Sequence, residues 1–260
     1  MTTKLTSQFI LAIAISFTFV ACGGDEKKPD DTKVTDTASA AKTDTVKAPA
    51  APTVADAVTA APNLYKLLQD TLGIRLIEAT YKPGDSSALH SHNDYAIYTI
   101  EGGTGEFIGK DGTKMTNEMK TGTENIRTAE VHSVKNTGKT TMKVLLVETT
   151  RAQGSVAADP LDATKAAAQE YKLVKDTLGI RIIDVTYKPG ETSAMHSHPD
   201  LAMYVITQSN AEFTGKDGKK QLHDLKPGTA MIVPADTHSV KNVGKTTSRV
   251  LLVEINRPRK

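Results

Sequence analysis

The sequence predicts an all-β chain in which one barrel is built twice, behind a disordered N-terminal tether. Three observations carry this reading. Shifting the sequence by 106 residues lays Tyr65–Arg151 on Tyr171–Arg257 without a gap, and 51 of the 87 paired positions are identical, which marks a tandem duplication. Within each copy the apolar segments are short and rich in Val, Ile, Thr and Tyr: in the first copy "GIRLIEATYKP", "ALHSH", "AIYTIE", "GEFIGKDGTK", "HSVKN" and "MKVLLVET", the composition of strands. Turn signals separate them at Pro83-Gly84, Gly102-Gly103, Asp111-Gly112 and Gly138, and again at Pro189-Gly190 and Asp217-Gly218. This spacing leaves no room for the crossover helices that parallel strands need, so an antiparallel sandwich or small barrel is expected. The Asp-Gly pairs mark hairpins.

The elements follow in chain order. Residues 9–20, "FILAIAISFTFV", stand between Lys4 and Ala21, an apolar run that suits a secretory signal and is too short to span a bilayer. "FVAC" resembles a bacterial lipobox, which implies a signal peptide over 1–21 and a lipid-modified Cys22. The residue after Cys22 is Gly23, not the Asp of inner-membrane retention. The expected location is therefore the cell envelope, on the outer membrane, with the lipid as the only membrane contact. Residues 23–62 contain no aromatic residue and no Ile, Leu or Met, so nothing there offsets the entropy of ordering the backbone, and 22–62 is read as lipidated Cys and linker. The first folded copy is expected over 63–151 and the second over 169–260. Between them, over 152–168, Asp159 and Pro160 are read as the start of an Ala-rich helix of about two or three turns. A formal net charge of +2 gives no case for nucleic acid, and a single Cys permits no intrachain disulfide.

The chemistry lies in the histidines. Residues i and i+2 of a strand share a face, so His90 and His92 point to one side, as do His196 and His198. His132 and His238, in the two "HSVKN" segments, sit on another strand. Three inward imidazoles can bind a divalent cation and leave positions open. Six of the seven histidines fall on these triads and only His223 lies outside. Asp94 and Asp200, the nearest carboxylates, are read as a fourth ligand, as partners that orient an imidazole, or as turn residues. Tyr98 and Tyr204 match between copies and are read as pocket lining or as core. Lys135 and Lys241 are read as solvated.

These residues resemble the cupin superfamily. Its first motif is matched by Gly84, His90 and His92 and by Gly190, His196 and His198. Its second is matched by Gly228, Pro234, His238 and Asn242, and by Gly122, His132 and Asn136. The resemblance implies two cupin jelly rolls (double-stranded β-helices), packed through strand edges, with dimerisation left open. The glutamate of the first motif is absent: Ala96 and Ala202 stand in its place, so the implied site is three histidines. Two functions are open. One is a metal-dependent enzyme with Fe, Mn, Zn or Ni acting on a small molecule, dioxygenase-like or related. The other is a lipoprotein that binds a metal or small ligand without turnover. No catalytic partner for the histidines stands out in the sequence.

Overall fold

The computed structural model describes residues 53–259. The expected export signal, Cys22 and the expected linker up to residue 52 lie outside the described residues. The first copy is nine strands: β1 (Tyr65–Thr71), β2 (Ile74–Tyr81), β3 (His90–His92), β4 (Tyr95–Glu101), β5 (Gly103–Gly109), β6 (Lys114–Met119), β7 (Glu124–Arg127), β8 (Glu130–Asn136) and β9 (Met142–Thr149). They form an antiparallel five-stranded sheet, β1-β2-β9-β4-β7, and a four-stranded one, β3-β8-β5-β6. The second copy repeats both sheets with β10 (Tyr171–Thr177), β11 (Ile180–Tyr187), β12 (His196–His198), β13 (Leu201–Val205), β14 (Ser209–Gly215), β15 (Lys220–Leu225), β16 (Ala230–Val233), β17 (Asp236–Asn242) and β18 (Ser248–Ile255). The expected Asp-Gly hairpins join β5 to β6 and β14 to β15.

The period-2 pattern sets what each sheet covers. On β2, Ile77, Ala79 and Tyr81 point into the first barrel, where they meet Tyr95, Val134, Met142 and Leu146. Ile74 and Leu76 point the other way. With Ala96, Tyr98, Leu145 and Val147 they pack on Ile180, Ile182, Ala202, Leu251 and Val253 of the second copy. The copies thus join through the faces of their five-stranded sheets, not through strand edges. The cause is that β2, β4 and β9 are apolar on both faces, and each Leu or Ile so covered is stabilised by roughly 1.5–3 kcal/mol. Tyr98 and Tyr204 belong to this seam, ring centroids 5.4 Å apart, and not to the cavity beside His92 and His132.

Packed structure begins earlier than composition suggested. Residues 57–60 form a one-turn helix, α1 (Ala57–Ala60), N-capped by Asp56, and Ala57 and Ala61 are buried in the first barrel's core. Ala55 carbonyl accepts from Ser91 N–H at 2.9 Å, which covers the β3 edge. The second copy has the same strap: α2 (Ala163–Ala166) is N-capped by Asp162, and Leu161 carbonyl accepts from Ser197 N–H at 2.8 Å. The helix expected between the copies is this single turn, starting at Asp162. Asp159 instead accepts from Leu161 N–H at 2.8 Å within the preceding turn. Alanine is the reason composition misled: it adds little hydrophobic area but lets a backbone lie close against a sheet.

Candidate metal centres

β3 pairs with β8 so that His90 stands directly opposite His132, and β12 pairs with β17 so that His196 faces His238. With His92 and His198 on the same faces, each barrel gathers three buried imidazoles whose ligand atoms lie within 4.8 Å of one another. Ring centroids in the first barrel are 4.8, 4.8 and 5.1 Å apart, and in the second 4.9, 5.0 and 5.5 Å.

Each imidazole presents one nitrogen to an acceptor. His90 Nδ1 lies 2.8 Å from Ala88 carbonyl, and His196 Nδ1 2.8 Å from Ala194 carbonyl. A carbonyl only accepts, so in both rings Nδ1 carries the proton and Nε2 holds a lone pair. His92 Nδ1 meets Glu148 Oε1 at 2.7 Å and His198 Nδ1 meets Glu254 Oε1 at 2.7 Å. His238 Nδ1 is 3.0 Å from Asp236 Oδ2, and His132 Nδ1 is 3.5 Å from Glu130 Oε2. Nε2 is thereby left as the ligand atom of the cluster, the arrangement by which outer acceptors fix the tautomer of a metal-binding histidine. The fit to a cation is sharpest at His196, whose buried Nε2 has no partner among the described residues. Burial lowers His90 and His196 to about 4, with their histidine neighbours adding to the effect, so both stay neutral and able to ligate at neutral pH.

Each inner carboxylate is itself anchored. Arg75 Nη1 donates to Glu148 Oε2 at 3.0 Å and Arg75 Nη2 to Asp56 Oδ1 at 2.9 Å. In the second copy Arg181 Nη1 lies 3.0 Å from Glu254 Oε2 and 2.6 Å from Asp162 Oδ2. The strap therefore reaches the histidines through a relay of aspartate, arginine and glutamate.

Of the three readings of Asp94 and Asp200, the structure keeps the turn: both sit in the turns before β4 and β13, and neither faces an imidazole. Asp94 Oδ2 accepts from Arg257 Nη2 at 2.5 Å and Asp94 Oδ1 from Ala129 N–H at 2.8 Å. Asp200 is bound by Arg151, by Arg259 and by Ala235 N–H at 2.8 Å. Their side chains turn away from the imidazoles, Asp94 to Arg257 and Asp200 to Arg151, each arginine lying just past the last strand of the other copy, and Asp200 also meets Arg259. The carboxylates that hold the imidazoles, Glu148 and Glu254, escaped the sequence reading because they lie 56 residues beyond their histidines. Their one visible signal was "VLLVE" ending the last strand of both copies.

The copies differ at the mouth. Tyr95 Oη donates to Glu130 Oε1 at 2.5 Å, and Arg127 donates to the same carboxylate at 2.7 and 2.9 Å. Burial raises the Glu130 carboxyl, but bonds from His132, Arg127 and Tyr95 outweigh it and hold the group well below the usual range. In the second copy the matching residues are Leu201, Val233 and Asp236. Tyr65 adds a further contact in the first barrel alone: its hydroxyl, which accepts from Tyr81 Oη at 2.8 Å, lies 3.0 Å from His90 Nε2.

Residues 183–254 match the family model described as a cupin domain. No curated protein matches the chain by sequence. Among solved structures, AerE from Microcystis aeruginosa is similar at a TM-score of 0.53 and 13% identity, over 74% of this chain and 91% of that one. An oxalate decarboxylase variant from Bacillus subtilis is similar at a TM-score of 0.50 and 15% identity, over 72% and 70%. Identities this low speak to fold alone. The described chain has the fold of two cupin-like barrels in tandem, and the match to the cupin domain falls on the second.

Proposed function

We propose that the protein is a metal-dependent bicupin that acts on a small molecule, with one divalent ion on His90, His92 and His132 and another on His196, His198 and His238. The observation that carries this reading is the common orientation of the imidazoles: Nδ1 turned to an outer acceptor and Nε2 left for the cluster, with His196 Nε2 buried and unpartnered among the described residues. Fe, Zn and Ni suit such nitrogen donors, and Mn, which favours oxygen, would rely on water or a substrate oxygen at the open positions. A bound ion would supply Lewis acidity toward an oxygen of the substrate. The chain's own residues do the rest: Glu148 and Glu254 hold the tautomers, and the apolar interior of the first barrel limits water.

Export belongs to the same proposal, with the lipid on Cys22 and the chain held at the outer membrane. Mass spectrometry should find a mature chain that starts at an acylated Cys22, and Cys22→Ser should leave the membrane fraction. An unmodified thiol would remove the lipoprotein part.

A second reading, capture of a metal or small ligand without turnover, is favoured by one observation. The groups beside the first cluster are poorly placed to move protons at neutral pH, since Glu130 is held by three side chains and burial raises the Tyr65 and Tyr95 hydroxyls. Metal-loaded protein should be assayed for oxygen uptake and turnover on thiols, diketones, flavonoids and sugars. Metal retained without turnover of any of them decides for capture.

A further inference from the structure

The cavity of the first barrel opens onto His92 and His132 and has a volume of about 40 Å³. Its walls are Ile97, Phe107, Met119, Met142 and Leu146, with the rings of three tyrosines among them. Two of those hydroxyls stay engaged, Tyr81 with Tyr65 and Tyr95 with Glu130, while Tyr65, which meets His90 until a metal takes that nitrogen, offers one neutral hydroxyl beside the cluster and no charge. Among the described residues no Lys or Arg lines the cavity. The arginines that reach the carboxylates around the cluster are committed, Arg127 to Glu130 and Arg75 to Glu148 and Asp56. A charge placed against these walls would be desolvated with nothing to pair it, which costs several kcal/mol. Aromatic rings and thioethers instead favour a ligand with an apolar body. At the positions of Tyr95 and Met142 the second copy has Leu201 and Ser248, so the argument is specific to the first barrel.

We infer that the first barrel takes a small molecule that directs an oxygen-bearing end at the histidines and keeps an uncharged, apolar body among these walls. A ligand with a second charged group on its body is discriminated against. The inference rests on the metal reading above and specifies what that site accepts.

The test uses the full chain carrying His198→Ala, which confines metal to the first barrel, loaded with Zn(II) and titrated calorimetrically. The two probes are 2-oxopentanoate and 2-oxoglutarate, which share the same oxo-acid end and differ in a terminal methyl against a terminal carboxylate. The apolar probe should bind roughly tenfold or more tightly, given the desolvation of an unpaired carboxylate. Met119→Lys, which offers that carboxylate a partner, should narrow the gap. Equal affinities, the reverse order, or Zn(II) retained with neither probe bound would overturn the inference alone. A chain that retains no Zn(II) overturns the metal reading and this inference with it.

Discussion

Tyr65 Oη against His90 Nε2, at 3.0 Å, is the one contact that separates the two clusters at the level of the ligand atoms, because His196 Nε2 has no such partner among the described residues. A metal entering the first barrel must displace that hydrogen bond, whereas the second barrel is open to it. A net hydrogen bond is worth about 0.5–1.5 kcal/mol, so Tyr65→Phe should tighten metal binding by the first barrel roughly two- to tenfold, and sequential titration of the native chain should fill the second barrel first. Weaker binding in the Phe variant would make Tyr65 a helper and not a competitor. Acidity acts on the same atoms: since burial holds His90 and His196 near 4 and not 6.5, proton competition for them begins only as pH falls toward 4. NMR titration of the metal-free chain should therefore find the His90 and His196 rings still neutral at pH 5.5, and protonated rings there would contradict the burial argument.

At the scale of elements, the site is held by pieces far away in the chain. Asp94 ties the turn after β3 to Ala129, just ahead of β8, and so links the two strands that carry the first barrel's histidines. It is gripped by Arg257 from beyond β18, while Arg151 grips Asp200 in return, and each arginine donates to the other's carbonyl, at 3.0 and 2.9 Å. Arg257→Ala should therefore lower stability by roughly 1–3 kcal/mol and weaken metal binding in the first barrel more than in the second. Equal weakening of both would reduce the arginine to general support. The straps titrate in a separate window: burial raises Asp56 and Asp162, but bonds from Thr59, Thr164 and the arginines bring both down to about 2 from 3.8. Their contribution is present above pH 3.8 and fades as pH drops toward 2. Limited proteolysis at neutral pH should accordingly stop near residue 53, and the cut should move to about residue 62 in Asp56→Ala. Strands with alternating or continuous apolar residues were legible in the sequence, as were the histidines they carry. β1 and β10 were not, because almost every residue after their first Tyr is exposed or half-exposed and no period shows. Glu148 and Arg75 were equally hidden, since the pairing of β2 with β9 brings them together and the packing of one sheet on the other brings Glu148 to His92.

For the whole molecule, duplication explains both the fold and its seam. A barrel whose five-stranded sheet is apolar on both faces needs a cover, and a second copy supplies one with the same pattern, so the pair buries Ile74, Leu76, Ile180 and Ile182 together. Among the described residues no helix is long and apolar enough to cross a membrane. The two histidine clusters survive side by side while the surrounding positions diverge, and the claim that unites them is that both are metal centres. Elemental analysis of the purified full chain, loaded in turn with Fe(II), Mn(II), Zn(II) and Ni(II), tests it most directly, because a three-imidazole site loses orders of magnitude in affinity with one ligand. The account predicts two ions per chain, one lost in His92→Ala, the other in His198→Ala and both in the double variant. A folded chain that retains none of the four metals would make the six histidines core residues and contradict it.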